Sequence, residues 1–219
     1  MNFYNRLQDN TEDARKMLMS APLIVNTLQG KITIEIYIAF LTQAYHHVKH
    51  TTPLLMTAGG KISDKMEWLR NAIAEYIEVE LGHQEWILND IEACGGDKES
   101  VRHGNPSIET ELMVAYAYDT ITRRNPLAFF GMVQVLEGTS VRVATQAASR
   151  IQETLKLPSR AFSYLNSHGV LDQGHVRFFE NLMNKIESAA DQEDIIHTAI
   201  VFYRLYGDIF RALPSYEQF

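Results

Sequence analysis

A chain of 219 residues, 46% hydrophobic and 21% charged, is long enough to bury a full core without staples and reads as a single domain, 1–219. Its formal charge of −7, with Lys and Arg scattered, excludes the basic footprint of a nucleic-acid partner or of attachment to an anionic membrane. One cysteine, Cys94, excludes an internal disulfide framework. No apolar signal core follows a basic start, and polar residues break every apolar stretch before the ~18 residues of a membrane span, so the expectation is a soluble cytoplasmic protein.

Helical periodicity runs almost throughout and predicts helices near 3–19, 21–29, 32–57, 62–94, 107–123, 126–156, 159–187 and 191–212. The β-branched stretch Ile32-Thr33-Ile34-Glu35-Ile36 is short and leads directly into a helical pattern. Gly59-Gly60 and Gly95-Gly96 supply backbone freedom for stopping a helix. The stretch 95–106, rich in Gly, Asp, His and Pro, reads as the one long non-helical piece. Asn125-Pro126 reads as an N-cap followed by proline at the first helical position. Asp191, with Asp194 three residues later, has the spacing of a cap before Ile195-Ile196. No repeat, low-complexity segment or linker divides the chain. The fold class is an all-α bundle.

Three segments call for a chemical account. The first is Glu80-Leu81-Gly82-His83, within the predicted helix 62–94. The second is Glu137, in Val133-Gln134-Val135-Leu136-Glu137-Gly138. The third runs from His168 to His175. At 100° per residue, Asp172 and His175 lie about 40° and −20° from His168, so the three share a narrow stripe over two turns. Glu80 and His83 form a three-residue step and so also share a face. A Glu-x-x-His step projecting into a bundle is the ligand step of carboxylate-bridged di-iron proteins. Three carboxylates and three imidazoles suit iron with open positions, and no thiolate is offered for a structural zinc or iron–sulfur site. Gly169 and Gly174 weaken the third helix, which predicts that metal orders it. The plainer alternatives are that these groups satisfy one another and that Glu137 pairs with Arg142.

These residues resemble the haem-oxygenase-like di-iron oxidase and oxygenase family, over about Tyr37 to Asp208. Glu80/His83, Glu137 and His168/Asp172/His175 stand in the family's order, and Gly82-His83-Gln84-Glu85-Trp86-Ile87-Leu88-Asn89-Asp90 is similar to the stretch after its first histidine ligand. The resemblance implies a seven-to-eight-helix bundle of the TenA/PqqC-like fold, two Fe(II) ions per chain and O₂ as co-substrate. It also implies oxidation of a small molecule such as an amino acid, a fatty acid or a similar carboxylate. Related folds are commonly homodimers. In some members the first glutamate lies seven or more residues before its histidine; here that position is Tyr76, which leaves Glu75 and Glu78 as fallbacks to Glu80.

Other readings stay open on residues alone. A thiaminase-type hydrolase needs a nucleophilic cysteine on a core helix, whereas Cys94 precedes Gly95-Gly96 at a helix end. Haem oxygenase needs a proximal histidine near the N-terminus, and the first here is His46. A hydrolytic di-metal enzyme, and a helical scaffold or small-molecule binder, are the remaining classes. For substrate contacts, the block Tyr45-His46-His47-Val48-Lys49-His50 offers His50 to the pocket, or is simply a cationic helix end. Arg142, Arg177, Arg204 and Arg211 could hold a carboxylate, Arg204 first because it interrupts Ile200-Val201-Phe202-Tyr203. Tyr116, Tyr118, Tyr203 and Tyr206 are expected in the core, and His103 and His197 on the surface.

Overall fold

A computed structural model describes residues 2–218, with the side chains of residues 168–175 and of Gln218 outside the described residues. The helices are α1 (Phe3–Asn10), α2 (Glu12–Met19), α3 (Pro22–Leu28), α4 (Ile34–Val48), α5 (Thr51–Gly59), α6 (Glu67–Glu80), α7 (His83–Ala93), α8 (Lys98–His103), α9 (Ile108–Asp119), α10 (Phe130–Leu155), α11 (Ser163–Met183) and α12 (Ala189–Ala212). Among the described residues there is no strand, so the periodicity gives the fold class correctly.

Three predicted helices are each broken in two, and two of the breaks have a local cause in the side chain or backbone at the break. At Thr11 the side-chain hydroxyl donates back to the Leu7 carbonyl (2.7 Å), competing with the helical ladder and separating α1 from α2. The backbone bends at Lys49-His50 between α4 and α5. Between α6 and α7, Leu81 is extended and Gly82 sits at φ +90°, a left-handed conformation that side chains disfavour. A Cβ at Gly82 would meet nothing within 4 Å, so a substitution there acts through backbone strain alone. Gly82→Ala should therefore cost about 1–2 kcal/mol in thermal unfolding, whereas Leu81→Ala, at an exposed position, should change little.

The 95–106 stretch is not wholly non-helical. Asp97 accepts from the backbone N–H groups of Glu99 and Ser100 and starts α8. Arg102 then forks onto Glu85 of α7 at 2.6 and 2.9 Å. Asn125 caps the turn Pro126–Phe129 through Leu127 N–H, as its sequence predicts. The predicted Asp191/Asp194 cap is corrected: Ser188 caps α12 through the Asp191 N–H, while both carboxylates accept from the Asn125 amide.

α10 is the central element, packed on α11 and α12 and also touching α3. Pro126–Leu155 has the length and hydropathy to cross a bilayer, yet it carries Glu137 and Arg142 and is mostly buried by its neighbours, as a core helix is. At its start it meets α12 so closely that a Cβ on Gly131 would lie 2.6 Å from the Ala199 nitrogen and against Thr198. Gly131→Ala should cost about 1–3 kcal/mol by overpacking and lower the Tm by about 3–10 °C.

The buried side chains form two clusters. One gathers α1–α3, α5, α6, α9, α12 and the end of α11 around the first turns of α10; the other gathers α4, α7 and residues 161–165, where α11 begins, around its second half. The seam between them is where the site lies.

Candidate metal centre

At the seam is a narrow cavity of about 150 Å³, walled by α3, α4, α5, α6, α10, α11 and α12. Its α10 wall runs from Met132 to Ile151, about 28 Å of helix at ~1.5 Å per residue. Ser140, Ala144 and Ala147 on that wall are small and leave clearance. Among the lining residues there is no Lys or Arg, and the sequence of 168–175 contains none either. The polar groups that reach in are Glu80, Glu137, His47, Tyr76, Tyr164 and Tyr206, with a few hydroxyls.

Glu80 and His83 do meet, by a different route from the one their spacing suggests. They are not on one continuous helix: Glu80 is the last residue of α6 and His83 the first of α7, and the Leu81-Gly82 corner turns one toward the other. With its proton on Nδ1, His83 donates to Glu80 Oε2 at 3.1 Å. Their side chains are 2% and 12% exposed, so the pair is withdrawn from water. The His83 ring also lies against Trp86, with centroids 4.1 Å apart. The fallback carboxylates Glu75 and Glu78 are exposed, which leaves Glu80 as the inward-facing one.

Glu137 lies on α10 with its Oε2 atom shielded from solvent, and it shares the cavity wall with Glu80. Arg142 is exposed. His168, Asp172 and His175 lie outside the described residues, although the helix that carries them, α11, packs on both α7 and α10. Among the described residues no set of three or more His, Cys, Asp or Glu side chains forms a metal cluster. What the described part supplies is a buried carboxylate–imidazole pair and a second carboxylate on the same cavity, a donor set of the kind ferrous iron takes.

The three histidines of the block have different surroundings. His47, on the same face of α4 as Tyr37 and Phe40, lines the cavity edge-on to Tyr206 at 5.7 Å. His50 lies past the end of α4, at the N-cap of α5, and instead contacts Tyr118 OH through Nδ1 at 3.2 Å, outside the lining. His46 is buried beside Lys49, and burial with that charge lowers its pKa to about 4, so it is neutral at physiological pH. Among the described residues the imidazole that lines the cavity is therefore His47 rather than His50, and the Tyr37–Phe40–His47–Val48 spacing is the sequence signal for it. Arg204 is 80% exposed beside Asp208 and does not line the cavity. Arg211 pairs with the same aspartate, and Arg177, His103 and His197 are also exposed. Tyr203 and Tyr206 are core residues, as expected.

Cys94 caps the C-terminus of α7, away from the cavity, and burial with nearby Asp90 raises its thiol to about 11. That is the setting of an inert thiol and gives no support to a cysteine-nucleophile hydrolase.

The architecture places the chain in the class of haem-oxygenase-like helical proteins. A domain of unknown function with a heme oxygenase-like fold from Shewanella denitrificans OS217 superposes with a TM-score of 0.86 at 22% identity, covering 96% of this chain and 90% of that one. A TenA homologue from Pseudomonas syringae pv. tomato DC3000 gives 0.80 at 15% identity, with 99% and 93% covered. Heme oxygenase from Leptospira interrogans gives 0.79 at 16% identity, with 97% and 100% covered. At these identities the likeness establishes the fold. Among curated proteins, none matches the chain in sequence. The sequence pattern of the iron-containing redox enzymes matches residues 38–207, and the chain belongs to that family.

Proposed function

We propose that this protein is an O₂-dependent non-haem iron oxidoreductase that binds two Fe(II) ions per chain and oxidises a small molecule held in the apolar cavity. The observation that carries the proposal is the buried Glu80–His83 pair at a cavity shared with Glu137, in a chain of an iron-containing redox family. Glu80, His83, Glu137, His168, Asp172 and His175 would hold the metal. Bound there, ferrous iron supplies reducing electrons and open coordination positions for O₂.

The remaining work falls to the chain itself. Glu80 holds the Nδ1 proton of His83 and so fixes its tautomer and ring orientation. The apolar wall of α10 orients the substrate and excludes water from the reacting end. His47 and Tyr206 place an imidazole and a phenol beside it. With no Lys or Arg on the wall, the cavity favours a substrate whose buried part is uncharged.

The test is anaerobic iron loading followed by exposure to O₂ with a panel of amino acids, fatty acids and uncharged apolar analogues, followed by absorbance and mass spectrometry. An oxidised product that forms only with iron and O₂ together is expected. Iron bound without any O₂ consumption, but with hydrolysis of a substrate, would favour the hydrolytic di-metal class. A binder that takes ligand but no iron would favour a non-catalytic role.

A further inference from the structure

The proposed ligands come from helices far apart in sequence, so their alignment depends on what locks those helices together. We infer that Asp90 is a positioning residue: its carboxylate sets the register and rotation of α11 against α7, and through them the alignment of the His168/Asp172/His175 stripe with His83. The ligand half of this statement rests on the function proposed above; the α7–α11 clamp stands on described atoms alone.

Asp90 is fully buried. Its Oδ1 accepts from the Ser163 backbone N–H at 3.0 Å and from the Ser163 hydroxyl at 2.5 Å. Its Oδ2 accepts from the Tyr164 N–H at 2.9 Å. These are the first two residues of α11, whose amides have no acceptor within their own helix. The residue at the N-cap position, Phe162, has no side chain that could serve them. The cap comes instead from another helix, 73 residues away in sequence. Burying a carboxylate is costly, and a serine at 162 would cap more cheaply. What the distant carboxylate adds is a tie between two helices. Two oxygens gripping two successive amides restrain both sliding along the α11 axis and rotation about it.

The tie is aligned with the candidate centre. Asp90 is seven residues after His83, about −20° away around α7, so one face of this helix carries both. Ser163 is five residues, about 7.5 Å of helix, before position 168. The neighbouring contacts reinforce the joint. Ser163 Oγ lies 3.4 Å from the carbonyl of Trp86, the residue against the His83 ring. From α4, Tyr37 donates to the Ala161 carbonyl at 2.8 Å and stacks on Phe162 at 5.4 Å, holding the turn that leads into α11. Tyr164, held by Asp90 Oδ2, also lines the cavity.

Asp90→Asn keeps the volume but puts an N–H₂ group against a backbone N–H, and Ser163→Ala removes only the hydroxyl donor. Two measurements on the full-length chain decide the matter. In the iron-free protein, backbone amides 163–176 should exchange on the order of tenfold faster in Asp90→Asn and less so in Ser163→Ala, with α12 amides unchanged. In anaerobic titration with ferrous ion, Asp90→Asn should lose about 10–100-fold in affinity, the cost typical of groups that orient ligands, and its ferrous ligand-field spectrum should shift. A general loss of stability would accelerate exchange in α12 as well and would leave the spectrum of the loaded fraction unchanged; that result overturns the inference. So does wild-type exchange at 163–176 in Asp90→Asn. A wild-type protein that takes no iron refutes the proposed function instead, and the exchange measurement then decides the clamp alone.

Discussion

Glu80→Ala and His83→Ala should each strip the protein of most of its iron and abolish O₂ consumption while the helical content stays intact. Partners that merely orient metal ligands are worth about 10–100-fold in affinity, so loss of a ligand itself should cost about 100-fold or more. Glu80→Ala also removes the acceptor of the buried His83 Nδ1 proton, which by itself costs about 1–3 kcal/mol of stability. Glu80→Gln separates the two effects, because it keeps an oxygen that can accept from His83 but removes the charge that a cation needs. Its Tm should stay near wild type while iron binding is still lost. His168→Ala and Asp172→Ala should match Glu80→Ala in iron content. Full metal retention in Glu80→Gln, measured by elemental analysis after anaerobic loading, would remove Glu80 from the centre.

Filling the cavity should give the opposite pattern. Ala144 is buried on the α10 wall, seven residues or about 10 Å of helix beyond Glu137. Ala144→Phe puts a ring into space that the apolar body of a substrate would occupy, at an overpacking cost of about 1–3 kcal/mol. Iron content should be unchanged, while substrate-dependent O₂ consumption at fixed substrate should fall on the order of 100-fold. If Ala144→Phe turned over like wild type, the substrate would have to bind elsewhere. The two variants thus divide the site into a metal end and a substrate end, each read by its own measurement.

Periodicity carried the fold class, because long amphipathic helices leave a 3.6-residue signal that no strand imitates. It did not carry the helix breaks. Thr11 and the Lys49-His50 bend interrupt apolar stripes that continue on either side, so the pattern reads through them. Gly82 is the instructive case. The sequence suggests Glu80 and His83 as neighbours on one helix, and they are neighbours, but across a left-handed corner. Their spacing brings the two side chains together, but through a geometry other than a shared helix face. His47 was legible, since its phase matches Tyr37 and Phe40, but a block of three histidines hides which one faces inward. The Asp90 clamp was not legible: a cap contributed by a helix 73 residues away has no local sequence signature.

If this fold gathers a buried set of carboxylates and imidazoles to hold iron, the protein must take up ferrous ion in the folded state. Titration of the metal-free, folded protein with ferrous ion under argon tests it most directly, with bound metal counted by elemental analysis. Saturation at about two irons per chain is expected, the complement of a six-ligand carboxylate–histidine set, with loss of that binding in Glu80→Gln. A folded protein that takes up no ferrous ion, or one whose uptake is untouched by Glu80→Gln and His83→Ala alike, would contradict it.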